Sequence, residues 1–239
     1  VDNNISLPKQ ISNKAVEDIP KGTELYISTK TKIAYLSSQI NLAEIFWKIN
    51  IIPDYLPQEG VIKKQMKFNF TDDIQLKDVS NKLVGIKNVD EQIITQIINP
   101  DGRIKFKDIR KISIGLCHKD ITSYRSKKKS AFYNCFVLIM RVKLDDVFKE
   151  IHVKVFNTGK LEIPGIRTDY LLNRTLNLLV KVLTSVSDIK DLSYDKSKTE
   201  TVLINSNFNC GFYINRDTLL NILKYKYQID CIFDACQYP

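Results

Sequence analysis

The residues of this chain that could do chemistry are better suited to binding than to catalysis. No GxxxxGK[S/T] phosphate loop, GxSxG nucleophile motif or HExxH zinc motif occurs in the 239 residues. The carboxylate pairs Asp72–Asp73 and Asp145–Asp146 lie in turn-like sequence, and no second feature marks either pair as a metal site. We therefore predict that the protein is not an enzyme, and we predict neither catalytic residues nor a cofactor.

Cysteine and histidine are not spaced as metal ligands usually are. Only two histidines occur, His118 and His152, and no two cysteines form a CxxC pair. The odd number of cysteines and the absence of paired spacing favour reduced thiols in an intracellular, reducing compartment and no metal site. The five cysteines are Cys117, Cys135, Cys210, Cys231 and Cys236.

The chain is basic, with 36 Lys and Arg against 27 Asp and Glu, which gives a formal net charge of +9. Such a surplus favours a polyanionic partner such as nucleic acid. A lysine-rich surface encoded by an AT-rich genome explains the charge equally well. No apolar run is long enough to span a bilayer and the N-terminal sequence does not resemble a signal peptide, so we predict no membrane association.

The stretch 148–186 contains a candidate binding surface together with the elements that would position it. Apolar and polar residues alternate from Glu150 to Val155, as in a half-buried strand, and Gly159 permits a tight turn into a second strand. Thr168 is a suitable N-cap for a helix with one apolar face. That face is formed by Leu172, Leu176, Leu179, Val180 and Leu183. The unit would bury one sheet face under the helix and leave the other face to bind.

Further elements are predicted before and after this unit. The apolar run 131–142 predicts a preceding strand, so antiparallel strands should run over 131–142, 148–156 and 160–164. Earlier in the chain, Asn41 and Glu44 resemble a capping box before a short helix, and the sequence 99–102 predicts a hairpin turn. The order of strand, asparagine cap and helix recurs near Asn215.

Strand parity predicts which side chains lie on the uncovered face. Phe156 and Lys154 share it, and so, after the turn, do Lys160 and Glu162. The basic loop 126–130 next to the strand contains candidate phosphate contacts at Lys127, Lys128 and Lys129. A carboxylate at position 162 would instead repel phosphates.

Several of these sequences resemble the TATA-box-binding protein (TBP) family, most closely the TBP-like factors of large nucleocytoplasmic DNA viruses. KVFNTGKLEIPG, with Phe156, Gly159, Lys160 and Gly165, is similar to the F-x-x-G-K turn of the family's first lobe. LIMRV, with Arg141, is similar to a strand of that lobe. FYINRDTL at 212–219 and Tyr238-Pro239 resemble the second lobe.

The resemblance implies an α+β saddle lobe, a curved antiparallel sheet with helices packed on one face. The domains expected are an N-terminal arm at 1–22 and a first lobe at 23–186 with an insertion at about 51–124. A linker at 187–198 and the truncated start of a second lobe at 199–239 would follow.

The resemblance also implies a promoter-binding initiation factor that bends DNA through the minor groove. Phe156 matches one of the aromatic residues that insert between base pairs, and either Phe132 or Phe136 matches the second residue of that pair. Tyr238 matches an inserting residue of the second lobe. Lys160 is placed for a phosphate contact. Thr29 and Leu203 stand where the family reads the groove centre, with Asn205 and Asn207 nearby. The predicted DNA-binding residues are Phe156, Lys160, Phe132, Phe136, Arg141, Lys154, Lys127, Lys128, Lys129 and Tyr238.

The partners implied are double-stranded promoter DNA, a viral RNA polymerase and a transcription factor IIB-like protein. The expected location is a cytoplasmic viral factory of the host or the virion. The alternative function is a protein-interaction module of the same machinery that keeps the fold but binds DNA weakly or not at all. Binding of single-stranded RNA is a third possibility, although the sequence has no RRM signature.

Overall fold

A computed structural model describes residues 21–122, 134–189 and 191–233. It shows an α+β protein with one eight-stranded antiparallel sheet, in the order β3-β4-β2-β5-β6-β7-β1-β8. The strands are β1 Tyr26–Tyr35, β2 Gly60–Phe70, β3 Val89–Ile98, β4 Phe106–Gly115, β5 Cys135–Leu144, β6 Val147–Phe156, β7 Lys160–Ile166 and β8 Glu200–Asn207. The helices are α1 Leu42–Lys48, α2 Asp73–Leu83, α3 His118–Thr122, α4 Asp169–Val186 and α5 Arg216–Asn221.

The chain forms two compact units. The larger unit is Ile27–Asn205, and the smaller unit contains, of the described residues, 21–26 and 206–233.

One face of the sheet, here called the helix face, packs against α1, α2 and α4. Alternate residues of the strands point into this core because side chains of a strand alternate between its two faces. The core includes Phe136, Leu138, Met140, Val142, Ile151, Val153, Val155, Leu161, Ile163, Met66 and Ile112. From the helices it receives Ile45, Phe46, Val79, Leu172, Leu176, Leu179 and Leu183.

Local sequence signals explain how α4 and α1 begin. The hydroxyl of Thr168 accepts a hydrogen bond from the backbone N–H of Leu171 at 3.2 Å, which confirms the predicted N-cap. The side chain of Asn41 accepts from Glu44 N, which confirms Asn41 as the N-cap. The Glu44 carboxylate accepts from the side-chain amide of Asn41 rather than from its backbone N–H, so the reciprocal bond of a capping box is replaced by a side-chain contact. Each cap satisfies a backbone donor that has no partner within its own helix.

The other face, here called the open face, can be followed from strand to strand in register. Gln65 pairs with Val137, Val137 with Lys154, Lys154 with Glu162, and Glu162 with Ile33. This confirms that Lys154 and Glu162 share a face, as their parity predicts. Short helix α3 lies against one end of this face, where Cys117 packs with Ile62 and Ile139.

Gly159 allows the β6–β7 turn to pass close to the chain that follows β1. Its φ is +84°, and a Cβ atom here would lie 2.6 Å from the carbonyl oxygen of Ser38. Both the backbone conformation and the close approach therefore require glycine. The Gly159 N–H donates to the carbonyl oxygen of Phe156 at 2.9 Å and closes the turn.

The segment 51–124 contributes three strands to the same sheet. Its β3 and β4 pair as an antiparallel hairpin around residues 99–105, which confirms the hairpin predicted from the turn sequence. The segment predicted as a linker, 187–198, packs against the region that follows β1. Leu192 is buried, and the Ser37 N–H donates to the carbonyl oxygen of Ser193 at 2.9 Å.

In the smaller unit, α5 begins at another asparagine cap. The side chain of Asn215 accepts from Thr218 N at 2.9 Å. No residue of α5 is buried, and apolar side chains such as Phe212 and Tyr213 are exposed. Strand–cap–helix order therefore recurs, as predicted.

Candidate nucleic-acid interface

The open face carries an aromatic and basic group of side chains where β6, β7 and β1 lie side by side. Phe156 ends β6, and Lys160 begins β7 directly after the turn. The Lys160 Nζ lies 6.0 Å from the centre of the Phe156 ring, a cation–π distance. Lys160 pairs in turn with Tyr35 of β1. Phe156, Lys160 and Tyr35 therefore form a continuous row across three strands.

Phe156 is held on this face by the burial of its neighbour. Val155 is fully buried on the helix face, and successive side chains of a strand point in opposite directions. Phe156 is half-buried and its ring is flanked by the Lys160 ammonium. This arrangement offers an apolar surface and a positive charge to the same ligand.

Further along the face, Lys154 and Glu162 form an ion pair. The Lys154 Nζ lies 2.6 Å from Glu162 Oε1, and both side chains are partly buried. An opposite charge this close offsets the repulsion that the carboxylate would exert on phosphates. His152, on the same face of β6, is exposed.

Polar side chains of β1 and β8 contact each other where these two strands are neighbours. The Asn205 side-chain amide donates to the Thr29 hydroxyl at 3.1 Å, and the Ser28 hydroxyl donates to the Asn205 carbonyl oxygen at 3.1 Å. Lys30 pairs with the core residue Ile166 and so lies on the helix face. Thr29, the residue before it, therefore lies on the open face. Amide and hydroxyl groups therefore lie on the same face as Phe156.

The side chains of two predicted site residues are engaged within the protein. Phe136 is fully buried on the helix face, so its ring is part of the core. Arg141 lies on the open face, but its guanidinium donates to the carbonyl oxygens of Leu56 and Asp54 at 2.6 and 2.9 Å. Arg141 therefore anchors the segment that leads into β2. The predicted residues Phe132, Lys127, Lys128, Lys129 and Tyr238 lie outside the described residues.

The sequence interpretation missed two lysines on the open face. Lys67 of β2 and Lys111 of β4 are direct cross-strand partners. The alternation of Met66, Phe68 and Phe70, which are all buried, is the signal that places Lys67 on the opposite face. The position of Lys111 depends on the pairing of β4 with β2, which no local pattern reveals.

Near α3, the open-face residue Lys63 is bonded to a carboxylate of the protein. Lys63 Nζ and the backbone N–H of Cys117 both donate to Asp120 Oδ2, at 2.7 and 2.9 Å. Burial acts to raise the pKa of Asp120, but hydrogen bonds from Cys117 and Lys63 outweigh it and lower that pKa. Burial raises the pKa of the Cys117 thiol, so it stays protonated and unreactive. This cluster holds α3 in place.

The described residues contain no group of three or more His, Cys, Asp or Glu side chains that could hold a metal ion. Within the same ranges, no helix is long and apolar enough to cross a membrane. The four described cysteines are free thiols. No protein family, curated protein or solved structure compared with this chain matches it.

Proposed function

We propose that this protein is a TBP-like viral transcription initiation factor that binds and bends promoter DNA through its open face. Its proposed partners are a viral RNA polymerase and a transcription factor IIB-like protein. The observation that carries the proposal is the row of Phe156, Lys160 and Tyr35 on a sheet face opposite the packed helices.

The chemistry of this row suits the minor groove of a duplex. An aromatic side chain can insert between base pairs and kink the DNA, while lysines neutralise nearby phosphates. Small polar groups such as those of Thr29 and Asn205 can contact base edges, since the minor groove presents mainly acceptors. The central strands supply a platform because their helix face packs against α1 and α4.

The order of elements along the chain also supports the resemblance to the TBP family. β1 is followed by the Asn41-capped helix α1, and β8 is followed by the Asn215-capped helix α5. β1 and β8 are neighbours in the sheet. The recurrence of strand, asparagine cap and helix is what the resemblance implies for a protein with two related lobes.

A second candidate function is a protein-interaction module of the same transcription machinery. The Lys154–Glu162 ion pair favours it, because pairing reduces the positive charge that the face offers to DNA. Exposed apolar residues of β8, including Val202 and Ile204, also suit a protein partner.

Fluorescence anisotropy with a labelled AT-rich duplex, over a series of salt concentrations, tests the first function. We expect binding that weakens steeply with salt, and a loss of about tenfold or more in Phe156→Ala/Lys160→Ala. The matched control is Tyr170→Ala/Lys181→Ala, which removes an exposed aromatic residue and a lysine from α4. Energy transfer between labelled DNA ends should report bending.

Absence of duplex binding by the intact protein at low salt would contradict the proposal. If a viral RNA polymerase were still captured, that result would favour the protein-interaction module. Stronger binding to single-stranded RNA than to duplex DNA in a competition would also contradict it.

A further inference from the structure

The open face continues past β5 onto strands that the TBP resemblance does not include. Lys67 of β2 faces Lys111 of β4 directly across the ladder. Lys107 lies on the same face of β4, since it is four residues from Lys111 along one strand. All three lysines are half-buried. This basic group, here called the outer lysines, lies on the same face as Phe156.

Two lysines in direct cross-strand positions repel each other, which destabilises a sheet unless a negative charge is near. Of their neighbours on this face, Asp90 is acidic and pairs with Ser113, one position diagonal from Lys111. Further neighbours are neutral and polar. Gln92 pairs with Lys111, and the amide of Gln65 donates to Ser113 at 3.2 Å. Both lysines also have contacts within the protein, so the argument rests on their charge and position. Such a surface suits a polyanion.

The sheet register connects the outer lysines to Phe156. Met66 of β2 pairs with Phe136 of β5 on the helix face, so the next residue of β2, Lys67, lies on the open face. Cys135, the residue before Phe136, also lies on the open face and pairs with Phe156. From β6 to β4 there are three strand intervals, or about 14 Å at about 4.8 Å each. This distance corresponds to about four base pairs of B-form DNA, at 3.4 Å per base pair.

We propose that the outer lysines form a second phosphate-binding segment that extends the DNA contact about four base pairs beyond Phe156. The proposal rests on the proposed function, because it takes duplex DNA to be the ligand of the open face. Ammonium groups that contact phosphates position the duplex without reading its sequence. The extension should therefore add affinity but little sequence preference.

Affinity measured against duplex length tests this extension. Labelled duplexes of increasing length are titrated with the parent protein and with Lys67→Gln/Lys111→Gln. The parent affinity should reach its plateau at a length about four base pairs greater than that of the variant. On long duplexes, the slope of log K against log salt should fall by about two in the variant, since each phosphate contact contributes about 0.9.

The matched control is Lys77→Gln/Lys181→Gln, which removes two exposed lysines from α2 and α4. It should leave both the plateau length and the salt slope unchanged. Circular dichroism melting verifies that each variant is folded.

The outcomes separate this proposal from the one on which it rests. If Phe156→Ala/Lys160→Ala loses binding while Lys67→Gln/Lys111→Gln keeps the parent plateau and slope, the extension is overturned and the proposed function stands. If only the outer-lysine variant loses binding, the basic segment is supported and the insertion of Phe156 is overturned. If the parent protein binds no duplex, both proposals fail.

Discussion

Lys154 of β6 and Glu162 of β7 form a cross-strand ion pair on the open face, with Nζ and Oε1 2.6 Å apart. The pair explains how the Glu162 carboxylate can occupy the same face as Lys160, Lys67 and Lys111. It also withholds the charge of Lys154 from an incoming phosphate. The two side chains therefore act in opposite directions on DNA binding.

Replacement of the Glu162 carboxylate by a neutral amide should strengthen DNA binding. In Glu162→Gln the Lys154 ammonium would lose its carboxylate partner, and the phosphates would no longer meet the negative charge of Glu162. We expect a higher affinity for duplex DNA and a slope of log K against log salt that is steeper by about one, measured by anisotropy. Glu44→Gln, which removes another ion-paired carboxylate from α1, serves as the control. A weaker affinity in Glu162→Gln would show that the carboxylate itself contacts the ligand.

Local patterns in the sequence were sufficient to predict several secondary-structure elements of the larger unit. Period-two alternation predicted β6 and β7, and the spacing of leucines with Thr168 predicted α4, because these signals depend only on neighbouring residues. The orientation of β5 could not be predicted in the same way. Nearly every residue from Cys135 to Val142 is apolar, so parity does not show which side chains face the helices.

The remaining features depend on contacts between residues far apart in the chain. Arg141 is satisfied by carbonyl groups at 54 and 56, in a loop that no pattern associates with it. Lys111 reaches the open face only through the pairing of β4 with β2. The order of strands in a sheet is set by global packing, which a local window does not contain.

Alanine substitutions at Phe136 and Phe156 should change different properties: the first should lower stability and the second should lower DNA affinity. Phe136 is fully buried in the core, so Phe136→Ala should lower the free energy of unfolding by about 3–5 kcal/mol through the cavity it leaves. Phe156 lies half-buried on the open face, so Phe156→Ala should cost less stability and reduce DNA affinity instead. Urea denaturation and anisotropy measure the two quantities. Equal stability losses in both variants would contradict the assignment of Phe156 to a binding face.

Arg141 should act on stability rather than on DNA. Arg141→Met removes two hydrogen bonds to the carbonyl oxygens of Asp54 and Leu56, with an expected loss of about 1–3 kcal/mol in the free energy of unfolding. DNA affinity of the folded variant should stay within about twofold of the parent. The control Arg174→Met breaks a more exposed ion pair with Glu59 and should cost less than about 1 kcal/mol. A large loss of DNA affinity with unchanged stability would instead indicate that Arg141 contacts DNA.

Lys64 should make the stability of the protein depend on pH in the alkaline range. Its ammonium is buried and donates to the carbonyl oxygens of Phe46 and Ile49 at the end of α1, each at 2.7 Å. Burial lowers the pKa of Lys64 from 10.5 to about 8. Between these two values the unfolded chain binds the proton more readily than the folded protein. The contribution of Lys64 to stability should therefore rise with pH from about 8 to 10.5, by up to about 1 kcal/mol per pH unit.

The comparison that isolates this contribution is the difference in unfolding free energy between the parent and Lys64→Met across pH 7.5 to 10.5. At neutral pH the variant loses the hydrogen bonds to the two carbonyl groups, but it also avoids burying an ammonium. Titration of all other groups is common to both proteins and cancels in the difference. The parent should therefore gain stability over Lys64→Met as the pH rises. A Lys64→Met difference that is flat over this range would mean that the buried ammonium keeps its ordinary pKa.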